Sequence, residues 1–245
     1  MESTNYPISE GRVKQLKTLL KKIKIDHKKL ICNNKHSDFA IINEALTHSS
    51  ANSAHNYEKL EFLGDAVLRL AASDFIENKF PTMQVGERSA LRSQLVSDSW
   101  LTNVGKSIQI ENNLIIGPKV LGDSSALATL QAEATEALIG AIYVCFRELT
   151  QIQSWLKPYW QETSIKILED PHRQNYKSAL QEWSQSKGFQ IPKYEVQELS
   201  QIHGDPKRFF CTVHIADKVI GKGWGRSHKS AEKEAASVAL KEIIN

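Results

Sequence analysis

The chain has 245 residues, 41% hydrophobic and 24% charged, which is enough for one or two folded domains and excludes a disordered chain. No apolar run reaches the roughly 18 residues of a membrane-spanning helix, and Met1 to Pro7 lacks the basic-then-apolar pattern of a secretory signal, so no membrane partner is expected. The net charge of +3 is uneven: residues 171–245 carry 12 Lys and Arg against 8 Asp and Glu, whereas residues 1–170 carry 19 against 20.

Residues 11–25 predict an amphipathic helix with Val13, Leu16, Leu20 and Ile23 on its apolar stripe, among Arg12, Lys14, Lys17, Lys21 and Lys22. A helix is expected over 39–48, then a polar loop to Asn56. The next helix spans about 57–78, with Leu60, Leu63, Val67 and Leu70 as its core stripe, and Phe80-Pro81 stops it. One or two helices over 87–107, a loop over 112–124 with Gly117-Pro118 and Gly122-Asp123, and a long Ala- and Leu-rich helix over 126–147 follow. Nothing before residue 170 alternates as a strand does, so the first region reads as all-α. After Pro158 a mixed stretch runs to Glu169-Asp170-Pro171, a plausible boundary.

The pattern then changes. Residues 175–187 read as a helix, Tyr194, Val196 and Leu199 mark a strand, and Phe209, Cys211, Val213 and Ile215 alternate as a second. Val219-Ile220 begins a third, whose end Gly221, Gly223 and Gly225 punctuate, and Ser227 is a good N-cap for a helix over 228–243. The order is αβββα. Cys32, Cys145 and Cys211 are odd in number and scattered, which argues against a disulfide framework or zinc site and fits a reducing cytoplasm.

Two constellations carry chemistry. In the run Tyr57 to Leu68, Glu58, Glu61 and Asp65 stand three and four residues apart, so a helix puts all three on one face, where like charges repel. Glu133 and Glu136 share a face of another helix. Hard divalent cations take oxygen ligands, and several carboxylates around one or two of them suit phosphodiester cleavage: the ion activates water and clamps the oxygens of an in-line displacement. For Glu133 and Glu136 alone, ordinary surface acids are an equal alternative. The second constellation is basic: Arg226, Lys229 and Lys233, near the free N–H groups of a helix N-terminus, suit phosphates.

Leu60-Glu61-Phe62-Leu63-Gly64-Asp65-Ala66-Val67-Leu68 resembles the signature of the ribonuclease III family. Glu44-Ala45-Leu46-Thr47-His48-Ser49-Ser50 is similar to the segment preceding it there, and Glu136-Ala137-Leu138-Ile139-Gly140-Ala141 to the second acidic motif. The resemblance implies an all-α nuclease domain over 1–157, a linker over 158–172 and an α+β double-stranded RNA-binding domain over 173–245. It also implies Mg²⁺, with Mn²⁺ as a substitute, held by Glu61, Asp65, Glu133 and Glu136. Asp65 and Glu136 would be central to catalysis and Glu58 an accessory acid. Phe62 matches the aromatic that packs against a partner subunit, implying a homodimer, although an ordinary core role is as good a reading from sequence. Two positions depart from the pattern: Glu133 stands where Asp is usual, and Val85 where an acid often precedes the glycine, with Glu87 one step beyond Gly86.

Gly223-Trp224-Gly225-Arg226-Ser227-His228-Lys229-Ser230-Ala231-Glu232 resembles the RNA-binding domain's motif. The match places Ser178, Gln181 and Gln185 on the helix face that reads a minor groove, where polar groups bond 2′-hydroxyls. His228 replaces a usual basic residue, and His203 precedes Gly204 rather than following a Gly-Pro pair. The expected activity is metal-dependent cleavage of duplex RNA to 5′-phosphate and 3′-hydroxyl ends with short 3′ overhangs, in processing of ribosomal RNA precursors and other structured transcripts. No P-loop or side-chain nucleophile arrangement is present, so no nucleotide cofactor is expected. The alternatives are a silent homologue that only binds duplex RNA and a hydrolase of small phosphates.

Overall fold

The computed structural model describes residues 8–30, 39–118, 120, 126–170, 175–202, 205–216 and 218–244. The expectations at the N-terminus, Cys32, Gly122-Asp123, Pro171, His203 and Gly204 lie outside the described residues. Two compact units divide at Ile165/Lys166.

The first unit is all-α. Helix α1 (Glu10–Lys22) starts at Ser9, whose hydroxyl accepts the Arg12 N–H, and buries Leu16, Leu19 and Leu20. It ends with Lys24 in the left-handed region, φ 60°. A one-turn 3₁₀ segment (His27–Lys29), α2 (Ala40–Glu44), α3 (Glu58–Lys79), α4 (Val85–Leu95), α5 (Asp98–Ile108), a second 3₁₀ turn (Ile110–Asn113), α6 (Leu127–Phe146) and α7 (Thr150–Glu169) follow. The unit's core includes Leu46, Leu68, Ile76, Leu95, Leu101, Leu138, Ile142 and Trp160, all almost fully buried. The only extended pairing among its described residues is a parallel bridge, Thr47 to Ile115.

Several expectations need correction. Leu70 is 58% exposed; Leu68, Ala71, Ala72, Phe75 and Ile76 continue the core stripe of α3 instead. The Phe75 ring lies 5.5 Å from that of Trp160, so the buried face follows the neighbours α3 meets, not the first apolar period. The linker expected at 158–172 is helical to Glu169, with Pro158 inside α7. Trp160 is fully buried, stacks on Trp100 at 6.0 Å and donates its indole N–H to the Leu95 carbonyl at 3.2 Å. Burial of that large ring outweighs the one helix hydrogen bond a proline removes. Cys145 is disulfide-bonded and Cys211 is free and buried; spacing along the chain does not report which thiols meet in space.

The second unit has the αβββα order: α8 (Tyr176–Ser186), β1 (Lys193–Glu198), β2 (Phe209–Ile215), β3 (Lys218–Gly225) and α9 (His228–Ile244). The strands pair antiparallel in the order β1-β2-β3, with a register shift at Val213/His214. Phe209, Cys211, Val213 and Ile215 face Leu180, Ala231, Ala235, Ala236, Ala239 and Leu240. The glycines 221, 223 and 225 fill the second half of β3, and Gly225 ends it as expected. A Cβ at Gly221 would stand 2.8 Å from the Ala239 Cβ, and one at Gly225 would meet the Ala231 main chain. Glycine facing alanine lets helix and strand approach at backbone distance. Among the described residues, no helix is long and apolar enough to cross a membrane.

Candidate functional site

The two acidic helix faces are brought beside each other because α3 and α6 touch backbone to backbone. A Cβ at Gly64 would be driven into the Glu136 carbonyl, and one at Gly140 into that of Leu60. Only glycine allows this approach, and the two glycines oppose each other: the Gly140 nitrogen lies 3.2 Å from the Gly64 Cβ position. Around the crossing α6 offers Ala132, Ala134, Ala137 and Ala141, all buried. Glu61 and Asp65 flank Gly64 on one helix, and Glu133 and Glu136 precede Gly140 on the other.

Local chemistry sets the start of α3. The Asn56 carbonyl oxygen of its side chain accepts the Glu58 N–H at 3.0 Å, and Asn56 is itself buried. Glu58 and Glu61 occupy the first turn, where the helix dipole favours negative charge and offsets part of their repulsion.

The charge that remains is large. Burial, then Asp65, Glu61 and Asp98, pushes the Glu136 carboxyl up to about 8, with Arg69 opposing. Burial, then Glu133 and Glu58, raises Glu61. Every expected ligand therefore feels at least one other. Arg69 Nε reaches Asp65 Oδ1 at 2.7 Å and Oδ2 at 2.9 Å, an i,i+4 pair near the surface. The Tyr57 hydroxyl donates to Glu133 Oε2, and burial with Glu133, Glu61 and Glu58 raises that phenol so that it stays protonated.

Among the described residues no three acids, histidines or cysteines stand close enough for one ion. The donor set nevertheless fits a hard divalent cation: it is all carboxylate, partly buried and short of positive charge, and a cation would offset the burial and repulsion that raise Glu61 and Glu136. Sequence reasoning missed Tyr57, Arg69 and Asp98, and the role of Gly64 and Gly140. The paired Gly in both acidic motifs was the available signal for the close crossing.

Phe62 is 84% exposed on α3, so a core role is excluded. Val85 is 80% exposed, and Glu87 is engaged as a helix cap, its carboxylate accepting the Gln84 N–H at 3.0 Å.

In the second unit Ser178, Gln181 and Gln185 are all exposed on one face of α8, opposite buried Leu180 and Ser184. Arg226, His228 and Lys229 are exposed at the start of α9, where the Ser227 hydroxyl accepts the Ser230 N–H at 3.2 Å. The His228 ring packs on Phe209 at 4.5 Å. Lys233 differs: it is half-buried over the Tyr176 ring at 5.9 Å, and burial lowers its ammonium.

Residues 38–152 match a family profile described as Ribonuclease-III-like, and residues 176–243 one described as a double-stranded RNA binding motif. The chain is 51% identical to "Ribonuclease 3" of Prochlorococcus marinus over 97% of this chain and 96% of that one. It is 38% identical to "Ribonuclease 3 2" of a Synechocystis species over 95% and 93%. It also resembles the crystal structure of the nuclease domain of Campylobacter jejuni ribonuclease III, at 25% identity and a TM-score of 0.50, over 62% of this chain and 96% of that one.

Proposed function

Because the chain belongs to the ribonuclease III family, we propose that it cleaves double-stranded RNA at the α3/α6 crossing, to 5′-phosphate and 3′-hydroxyl ends with short 3′ overhangs. It is a nuclease by that membership. The observation that carries the reading is the carboxylate surface at the Gly64/Gly140 contact, joined in one chain to an αβββα unit with an exposed polar and basic rim.

Glu61, Asp65, Glu133 and Glu136 would hold the cation, Mg²⁺ with Mn²⁺ as substitute, and Glu58 would support them from the first turn. The bound ion supplies Lewis acidity and neutralises charge at the phosphate. Asp65 and Glu136 supply oxygen at the centre of the site, on the two helices whose contact fixes their separation. A bound cation would favour the ionised form of Glu136, whose carboxyl burial and the neighbouring acids push up. Arg69 holds Asp65 in place and limits repulsion when the ion is away. Arg226, His228 and Lys229 would take phosphates, while Ser178, Gln181 and Gln185 would meet 2′-hydroxyls. Lys233, packed over Tyr176, would contribute long-range charge. Phe62 would seat in a second copy, giving a homodimer with two such sites. Cytoplasmic processing of ribosomal RNA precursors and other structured transcripts is the role proposed for this chemistry.

The test is incubation with long duplex RNA in Mg²⁺ or EDTA, with product ends mapped. Cleavage in Mg²⁺ alone, leaving 5′-phosphates, is expected. Binding without cleavage would leave a duplex-coating protein, and cleavage in EDTA would remove the cation from the reading.

A further inference from the structure

We propose that Tyr57 is a positioning residue that aims the Glu133 carboxylate at the cation; this rests on the assignment of Glu133 to the metal site made above. Tyr57 is only 2% exposed, and its hydroxyl donates to Glu133 Oε2. The ring cannot swing away. Its backbone N–H donates to the Thr47 carbonyl at 2.9 Å, and its edge meets the His48 ring at 5.5 Å. His48 is pinned in turn: its N–H donates to the Ile115 carbonyl at 2.9 Å, and its Nδ1 lies 2.7 Å from Ser50 Oγ.

The same residue is the N-cap of α3. The Tyr57 carbonyl accepts the Glu61 N–H at 2.8 Å. Tyr57 thus connects the backbone of one expected ligand on α3 to the side chain of another on α6.

Glutamate has three side-chain torsions to fix, and a hydroxyl on a buried ring fixes them from outside. A carboxylate has about four lone-pair directions, so one neutral donor leaves Glu133 free to ligate. The phenol adds no positive charge, so it orients the acid without competing with a cation, unlike Arg69 on Asp65. Partners of this kind typically control metal affinity by about 10–100-fold.

Tyr57→Phe in the full chain removes the hydroxyl and nothing else. Binding of Mn²⁺, followed by the loss of free-ion signal in electron paramagnetic resonance, should weaken about tenfold. Cleavage should fall at limiting Mg²⁺ and recover at saturating Mg²⁺. Duplex RNA affinity in EDTA should not change, and the unfolding temperature in EDTA should stay within about 2–4 °C of wild type. Glu133→Asp withdraws the carboxylate by about one C–C bond, near 1.5 Å, so Tyr57→Phe added to it should cost no further Mn²⁺ affinity. Unchanged or tighter Mn²⁺ binding in Tyr57→Phe would overturn the proposal, as would an equal loss in the Glu133→Asp background or loss of the fold. Wild-type protein that neither binds Mn²⁺ nor cuts duplex RNA would instead refute the proposed function, and the positioning role with it.

Discussion

Glu136 is the acid most displaced from its ordinary behaviour. Its carboxyl titrates near 4.5 when free and at about 8 in the fold, because it is buried beside Asp65, Glu61 and Asp98. Between those values the native state keeps a proton that the unfolded chain has lost, so stability falls as pH rises through that window. In EDTA, the unfolding temperature should therefore drop more steeply from pH 5 to pH 8 in wild type than in Glu136→Gln, and Mg²⁺ should restore it. Differential scanning calorimetry at both pH values checks this. Glu136→Gln should also reduce cleavage by at least about 100-fold, as loss of a transition-state charge partner does, while filter binding finds duplex affinity unchanged. At this scale the sequence identified the acids by type and spacing. It missed Tyr57 and Arg69, because nothing in their own positions says which carboxylate they will meet.

Helix α3 is legible in the sequence as a helix but not in full as a surface. Its start, its length and its acids follow from local pattern, whereas Leu70 faces outward because α6 and α7 cover a different arc. The contact that decides the site is made by two glycines. Gly64→Ala should push α6 away from α3, destabilise the fold by about 1–3 kcal/mol and weaken the stabilisation that Mg²⁺ confers. Gly86→Ala gives the contrast: it sits in α4 with nothing within 4 Å of its Cβ position. It should stabilise by about 0.4–1 kcal/mol through the unfolded chain. Chemical denaturation of the two variants at one pH distinguishes these signs. The glycines of β3 make the same point: the sequence places them at the strand's end, where they are found, but only the fold makes them the place where α9 lies closest.

The whole molecule is a division of labour between two units. Phe62 is 84% exposed beside the acids, and burial of such a ring is worth roughly 1.5–3 kcal/mol to an assembly that covers it. With the proposed homodimer, wild type should sediment as a dimer and Phe62→Arg as a monomer at micromolar protein; a wild-type monomer would remove the dimer from the reading. Replacing Arg226 and Lys229 by Ala should lower the slope of log affinity against log salt for duplex RNA by about two, with the metal response of the first unit intact. The sequence by itself determined the element types, the αβββα order and which acids share a helix face, because periodicity, capping and charge spacing are local properties of a chain. Only the tertiary structure decided that α7 continues past Pro158, that Gly64 meets Gly140, and that the acids 58–65 and 133–136 face one another. Those facts depend on which surfaces pack together, and packing is settled by burial and backbone approach between residues some seventy positions apart.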